Sequence, residues 1–159
     1  MMNIKDILFV TKNFTISSLK IILKDNDVSI DIKERCYEKI LKDYEMCYNL
    51  RLDVDFIPEN IKRRIEEKCL ESPEWAYYLR RDVKDLPEDV KRRAEEKCCE
   101  DPHWAYHLIY VKKLQKGMKK KALLKCYEGK EIFFTDIDIK HLLWIIEEKI
   151  KKNIFFINN

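Results

Sequence analysis

The chain has 159 residues, enough for one domain with its own hydrophobic core. Charged residues make up 38% of it and hydrophobic residues 46%, a balance that excludes a disordered chain of low hydrophobicity. Its 2 glycines and 4 prolines are too few for a protein of many strands and tight turns. The composition therefore favours helices under a charged surface.

The N-terminal segment has a short apolar run after Lys5, but no small-residue cleavage site follows it, so we expect no signal peptide. The longest apolar runs, at 7–10, 142–146 and 154–157, fall far short of the roughly 18 residues that cross a bilayer. We therefore expect no membrane segment.

Most of the chain is a repeat of about 29 residues, which is clearest between residues 58–86 and 87–115. More than half of the aligned positions are identical, and the proline, the Lys-Arg-Arg run and the Trp-Ala-Tyr run all recur in register. A weaker copy at 29–57 precedes them, after a half-copy at 16–23. A degraded copy follows them through Cys126, with the period shortened to 28.

Each copy predicts two short helices. The first runs from about Pro73 to Val83, with Ser72 (or Asp101 in the next copy) as N-cap and proline in the first turn. The second runs from about Pro87 to Glu100. Apolar residues recur on one side of each helix, as Ala76, Leu79 and Val83 and then as Val90, Ala94 and Cys98. The second stripe returns as Ile32, Cys36 and Ile40, as Ile61, Ile65 and Cys69, and as Met118, Ala122 and Cys126.

One helix pair cannot bury such stripes alone, whereas stacked pairs can share a core. The prediction is therefore an all-α fold, an α-solenoid of about four tandem helix pairs over residues 1–128. Residues 129–159 break the pattern and are expected to form a C-terminal cap on the same core, made of an extended segment, a helix and a short tail. The extended pieces at 4–10, 131–134 and 154–157 could pair with one another.

The chain contains 6 cysteines, of which Cys36, Cys69, Cys98 and Cys126 lie on the predicted core stripes. With no export signal expected, we interpret them as packed thiols in a reducing, cytoplasmic protein rather than as disulfides.

The segment 72–83, Ser-Pro-Glu-Trp-Ala-Tyr-Tyr-Leu-Arg-Arg-Asp-Val, resembles a HEAT-like helical repeat of the form (D/S)PE-aromatic-AY…R-D-V. Such repeats occur in tandem in bacterial and phage proteins of mostly unassigned function. The resemblance covers roughly residues 30–128, and the copy at 101–112 departs from it where Ile109-Tyr110-Val111 replaces Arg-Asp-Val. It implies a recognition scaffold and carries over no catalytic residue.

A cluster of possible ligands, Cys98, Cys99, His103 and His107, has its histidines spaced i, i+4 as in some zinc sites. The equivalent positions one copy earlier hold glutamate and tyrosine, so we interpret the cluster as packed cysteine beside two half-exposed histidines. We expect no metal and no cofactor. Nothing in the spacing supplies an orienting residue or an oxyanion loop for a Cys99–His103 pair, and we expect no catalytic residue.

Basic runs recur in register at 62–64, 91–93 and 119–121. In the first two, we expect the glutamates four residues on, at 66–67 and 95–96, to pair with the lysines and arginines within the same helix. Those two runs are then neutralised surface, and the third, which lacks such glutamates, is not.

Charge is also separated along the chain, because 102–127 holds seven lysines and no acid, whereas 25–59 holds ten acids and five bases. This separation favours an anionic partner, with solvated surface as the alternative. The candidate binding residues here are Lys112, Lys113, Lys116, Lys119, Lys120 and Lys121, together with Arg92 of the second basic run.

Aromatic residues recur as well, and on a repeat face they can anchor a partner. Trp75 and Trp104 directly precede a core alanine and are expected to be partly buried. Tyr77, Tyr106 and Tyr110 are the better candidates for a binding surface.

The leading hypothesis is a non-catalytic protein that binds another protein, or a protein–nucleic-acid complex, through an anionic surface of that partner. Small size, the lysine-, isoleucine- and asparagine-rich composition and the resemblance to phage-borne repeats favour one specific version, an inhibitor of a host defence complex such as an anti-CRISPR protein. The alternative is a nucleic-acid-binding protein that uses Lys112–Lys125. The sequence does not predict the oligomeric state.

Overall fold

The computed structural model describes residues 15–53 and 56–129 and, beyond these, the single positions 143 and 147. In this part of the chain every regular element is an α-helix, which confirms the all-α class. The helices are α1 (Ile16–Lys24), α2 (Ile30–Ile40), α3 (Tyr44–Arg51), α4 (Glu59–Cys69), α5 (Pro73–Asp82), α6 (Glu88–Cys98), α7 (Pro102–Leu108) and α8 (Met118–Gly129).

Several predicted elements lie outside the described residues. They are the extended segments at 4–10, 131–134 and 154–157, and the cap predicted at 129–159 apart from its first residue and the two helical positions 143 and 147. The half-copy predicted at 16–23 is described and forms α1.

The helices begin where the sequence supplies a cap or a proline. Thr15 caps α1 through reciprocal hydrogen bonds with the serine three positions on, and Asp43 accepts a backbone N–H of the first turn of α3. Asp101 accepts two N–H groups at the start of α7. Ser72 stands at the same place before α5, but its side chain makes no capping bond, so there only proline and the acidic first turn mark the start.

Helices that follow one another pack most closely within three pairs, α3 with α4, α5 with α6 and α7 with α8. In addition, α1 contacts α3, α3 contacts α5, and α5 contacts α7, so the odd-numbered helices touch in series. Helix α6 likewise contacts α8. Helices of one copy of the repeat therefore contact helices of the next copy.

The predicted stripes form the core between these helices. Ala76, Leu79, Ala94 and Cys98 are 0% exposed, and Val83 is 5% exposed. The equivalents of Val90, Ala94 and Cys98 in the other copies are also buried, except for Ile32, which is half-buried. Helix α4 contacts both α3 and α5, and helix α6 contacts both α5 and α7. The apolar residues of successive copies therefore form one continuous core.

Two buried ion pairs recur one repeat apart inside this core. Arg51 donates from Nε to Oε1 of Glu66 at 2.6 Å, and Arg80 donates in the same way to Glu95 at 2.7 Å. Arg51 and Glu95 are 0% exposed, and Glu66 is 2% exposed. Burial raises the pKa of the Glu66 carboxyl, although the hydrogen bond from Arg51 opposes that change. Each pair joins two helices that follow one another, α3 to α4 through Arg51 and Glu66, and α5 to α6 through Arg80 and Glu95.

Apolar residues take the place of these pairs at both ends of the repeat. One copy before Arg51 and Glu66, the positions hold Ile22 and Tyr37, and one copy after Arg80 and Glu95 they hold Ile109 and Leu123. All four are buried. The two positions thus change together, from a cation and an anion in the middle copies to two apolar side chains in the outer ones.

Candidate binding surface

Nine aromatic or imidazole rings form one connected surface over α3, α5, α7 and the turn that follows α7. We call it the aromatic face, and it consists of Tyr48, Trp75, Tyr77, Tyr78, His103, Trp104, Tyr106, His107 and Tyr110. Each ring lies within 5.9 Å, centroid to centroid, of at least one other. Among the predicted candidates, Tyr77 and Tyr106 are half-buried in it and Tyr110 is 53% exposed. Trp75 and Trp104 are partly buried, as predicted.

The repeat builds this face by using the same contact twice. Tyr48 lies 5.7 Å from Trp75, and its counterpart Tyr77 lies 5.5 Å from Trp104. In each case the tyrosine follows the core position of one copy, and the tryptophan precedes the core alanine of the next. Packing of α3 on α5 and of α5 on α7 therefore brings the rings together. Tilted and edge-on ring pairs of this kind add to the stability that burial alone provides.

A cavity of about 290 Å³ opens on this face between α3 and α5. Its lining consists of Glu45, Tyr48, Asn49, Glu74, Trp75, Tyr78 and Arg81. We call it the aromatic pocket. None of its residues was predicted as a binding residue, because they come from two helices and only the packing of those helices brings them together.

Arg81 forms one wall of the aromatic pocket and is already paired. Its guanidinium carbon lies 4.9 Å from the ring centre of Tyr78 and 5.3 Å from that of Tyr77, and two of its nitrogens donate to Asp82 at 2.7 Å. These hydrogen bonds raise the pKa of Arg81 and lower that of Asp82. The charge of Arg81 is therefore compensated inside the chain.

Tyr48 fixes the other wall. Its hydroxyl donates to Oδ2 of Asp82 at 2.5 Å, which ties α3 to α5. The pKa of Tyr48 is raised to about 12, mainly by burial and also by this hydrogen bond to the Asp82 carboxylate. The phenol is thus a fixed donor at any physiological pH.

The predicted lysines occupy the loop after α7 and the first turn of α8. Lys112, Lys113, Lys116, Lys119 and Lys121 are exposed and Lys120 is half-buried. None of the five exposed lysines forms an ion pair with a carboxylate in the described part of the chain. The loop is held by its backbone, since the carbonyl of Lys113 accepts from Nη2 of Arg80 at 2.9 Å and the N–H of Gln115 donates to Glu95 at 3.1 Å. We call these six residues the lysine segment.

The lysine segment opposes the electrostatics of its helix. A helix N-terminus carries partial positive charge and favours acids. Helices α4 and α6 follow this rule with Glu59 and Glu88, whereas α8 has no acid in its first turn and has Lys119, Lys120 and Lys121 there. These lysines cost helix stability, so their placement needs another explanation.

In the first two basic runs every residue except Arg92 lies within 4.0 Å of a carboxylate among the described residues, but the predicted partners are wrong. Glu66 accepts from Arg51 and Glu95 accepts from Arg80, instead of pairing with the basic residue four positions earlier in the same helix. Both carboxylate oxygens of Glu67 accept from Arg93 of the next copy at 2.5 Å. Arg64 makes the equivalent bond to Glu38 at 2.6 Å. Glu38 and Glu67 reach the next copy because helix packing brings Arg64 and Arg93 to them. The pairs formed within one helix use the acids of the first turn, Glu59 and Glu88, which precede the basic residues. Arg92 is exposed on α6.

The cysteines and histidines form no ligand cluster in the described residues. All 6 cysteines there are buried and none is in a disulfide, and no group of three or more His, Cys, Asp or Glu side chains in these ranges could hold a metal ion. Burial raises the pKa of Cys99 to about 11, so it is a thiol near neutral pH. The imidazoles of His103 and His107 lie 4.7 Å apart, and burial, reinforced by His103, lowers the pKa of His107.

No helix within the described ranges has both the length and the apolar character needed to cross a membrane. Comparisons with protein-family models, with curated proteins and with solved structures find no match to this chain, so the resemblance to bacterial and phage repeats stays a prediction.

Proposed function

We propose that this protein is a non-catalytic binding protein that holds a protein partner, alone or within a protein–nucleic-acid complex, against its aromatic face and its lysine segment. In this proposal the helix pairs stack as an α-solenoid, which gives a long surface lined by side chains without requiring special loops. The serial contacts among α1, α3, α5 and α7 support that arrangement.

The observation that carries the proposal is the lysine segment. Five exposed lysines without an ion-pair partner among the described residues lie within residues 112–121, and three of the segment's lysines lie where a helix disfavours positive charge. Local rules of this kind are broken chiefly at functional positions, where a binding partner compensates for the lost stability. An anionic surface on the partner supplies that compensation, and charge separation along the chain would orient the encounter.

The aromatic face supplies the second part of the surface. Tyrosine, tryptophan and arginine are the residues that contribute most at protein interfaces. Here the rings are held against one another before any partner arrives, so binding costs little side-chain entropy. Tyr110 connects the two parts, because it contacts Tyr106 and precedes the lysine segment by two residues.

Charge reversal of the lysine segment tests the proposal. We expect the triple variant Lys116→Glu/Lys119→Glu/Lys121→Glu, tagged and expressed in the native host, to retain less than about a tenth of the partner captured by the wild-type protein. Quantitative mass spectrometry of the captured proteins measures this.

A matched control separates the segment from net charge. Lys42→Glu/Arg63→Glu/Lys84→Glu changes the net charge by the same amount at exposed positions outside the segment. The control should capture the partner like the wild-type protein. Equal capture by both triple variants, or equal loss in both, would contradict the proposal.

A second candidate function is nucleic-acid binding through Lys112–Lys125. The absence of any acid between residues 102 and 127 favours it. It predicts capture that nuclease abolishes, and purified protein that binds DNA or RNA at about 50 mM salt and loses affinity steeply as salt rises, because each phosphate contact releases counterions. No detectable binding at that salt concentration excludes this candidate.

A further inference from the structure

We infer that the aromatic pocket binds an arginine side chain of the protein partner. The inference rests on the proposed function in one respect, since it takes the partner to be a protein. It adds the chemical identity of the group that is bound and the residues that recognise it.

Three aromatic rings belong to the lining of the pocket. Tyr48, Trp75 and Tyr78 each lie within 5.9 Å, centroid to centroid, of both of the others, so the three rings form a closed set. Aromatic rings attract a cation through the negative charge of their faces. A guanidinium gains more than an ammonium from such walls, because it is planar, delocalised and weakly hydrated.

One of these rings, Tyr78, already contacts a guanidinium of the chain itself. Arg81 stacks over Tyr78 at 4.9 Å from one side of the pocket. Arg81 is not available to bind an incoming anion, because two hydrogen bonds commit it to Asp82. The contact is therefore an internal example of the interaction that we infer for the partner.

The remaining polar groups of the pocket are acceptors. Glu45 is exposed and Glu74 is half-buried, and neither forms an ion pair with a described residue. Asn49 adds an amide oxygen to the lining. Carboxylates beside aromatic rings complement the donor fork of an arginine, which can bind a carboxylate through two parallel hydrogen bonds. With the charge of Arg81 compensated, the pocket presents two uncompensated negative charges.

The repeat explains why the pocket occurs at this joint. One copy later, the position of Asn49 is taken by Tyr78 and that of Glu74 by His103. A ring thus occupies the space that Asn49 leaves open, and one of the two carboxylates is lost. The open space and the paired acids come from substitutions specific to this copy and not from the repeat as such.

The position of the pocket also fits a partner with both signs of charge. Glu45 belongs to the part of the chain at 25–59 that has five more acids than bases, whereas the lysine segment lies in the basic part. A protein can present an arginine to the first and acids to the second. A nucleic acid carries no cation and cannot use the pocket in this way.

The test follows the indole N–H resonance of Trp75 by nuclear magnetic resonance, in the full-length protein, while N-acetyl-arginine methylamide is added. Trp75→Phe assigns the resonance. We expect a saturable shift with a dissociation constant on the order of 1 mM. The neutral isostere N-acetyl-citrulline methylamide should bind at least about tenfold more weakly, since it lacks the charge.

Amino-acid substitutions test which side chains of the pocket bind the arginine amide. Glu45→Gln/Glu74→Gln keeps the side-chain sizes and should weaken binding at least about tenfold, whereas Glu34→Gln/Glu96→Gln, the same charge change at exposed positions elsewhere, should not. Asn49→Tyr introduces the ring found one copy later and should abolish the shift. An unchanged circular dichroism spectrum shows that each variant is folded, and the glutamine variants test the inference whatever the effect of Asn49→Tyr.

The inference is overturned if citrulline and arginine amides bind equally, if the glutamine pair has no effect, or if adenosine monophosphate shifts Trp75 while the arginine amide does not. The last outcome would assign the rings to a nucleobase. None of these outcomes affects capture by the lysine segment, so the inference and the proposed function can fail separately.

Discussion

Arg51 and Glu66 are removed from water while both carry charge, which is among the least favourable arrangements in a protein interior. Taking two ions out of water costs several kcal/mol each, and the attraction between them recovers this only where the remaining polar atoms are also satisfied. Here Nη2 of Arg51 is buried without a hydrogen-bond partner among the described residues. The pair is thus a specific contact between helices rather than a large source of stability.

The outer copies of the repeat supply the replacement, which leads to a quantitative prediction. Arg51→Ile alone leaves the Glu66 carboxyl buried without its partner and should lower the free energy of unfolding by about 3–5 kcal/mol. Glu66→Leu alone should cost less, because Nη1 of Arg51 still donates to Asp85 at 3.3 Å. The double variant Arg51→Ile/Glu66→Leu introduces the residues found at 109 and 123 and should recover most of that loss. Urea unfolding of the three variants measures both effects.

The exposed pair between Arg64 and Glu38 provides the control for this cycle. Its arginine is 48% exposed, so Arg64→Ile should cost less than about 1 kcal/mol. If the double variant loses as much free energy of unfolding as the two single variants lose together, the ion pair cannot be replaced by apolar residues. That result would contradict this account.

At the scale of the element, local chemistry explains what could be predicted. The first helix was expected at Pro73–Val83 and is found at Pro73–Asp82, and the second was expected at Pro87–Glu100 and is found at Glu88–Cys98. Prolines, acidic first turns and apolar spacing act within a single helix, so they can be read along the chain. The apolar stripes were predictable for the same reason.

Contacts between elements were harder to predict. Spacing predicts for Glu66 a partner four residues away in its own helix, whereas its partner in the structure, Arg51, lies in the preceding helix. One signal could have corrected this, namely that the positions of Arg80 and Glu95 become apolar together in the last copy. No comparable sequence pattern predicts the aromatic pocket, because its opening depends on the absence of an aromatic ring at position 49, which is Asn49.

The first turn of α8 carries the prediction that belongs to this scale. Lys119→Glu places an acid where the helix favours one and should raise the free energy of unfolding by about 0.3–1 kcal/mol while weakening partner capture. Lys125→Glu, beyond the first turn, should give no such gain, because the effect of the helix dipole falls off within one turn. Denaturant unfolding of both variants tests this, and a loss of stability in Lys119→Glu would remove the argument from helix electrostatics.

For the molecule as a whole, the shared core is what makes the surface possible. A single copy of about 29 residues is too small to bury enough apolar area alone. Because α5 contacts α3, α4, α6 and α7, rings and charges from successive copies are held side by side. The aromatic face and the aromatic pocket exist only where neighbouring copies meet.

Hydrogen exchange, measured by mass spectrometry on Leu79→Ala, tests this shared core most directly. Leu79 is 0% exposed in α5, and its truncation should cost about 2–5 kcal/mol. The account predicts faster exchange throughout α5 and also in α3, α4, α6 and α7, with no such change in the exposed-site control Arg63→Ala. Faster exchange confined to residues 73–82 would contradict it, because the copies would then not depend on one another.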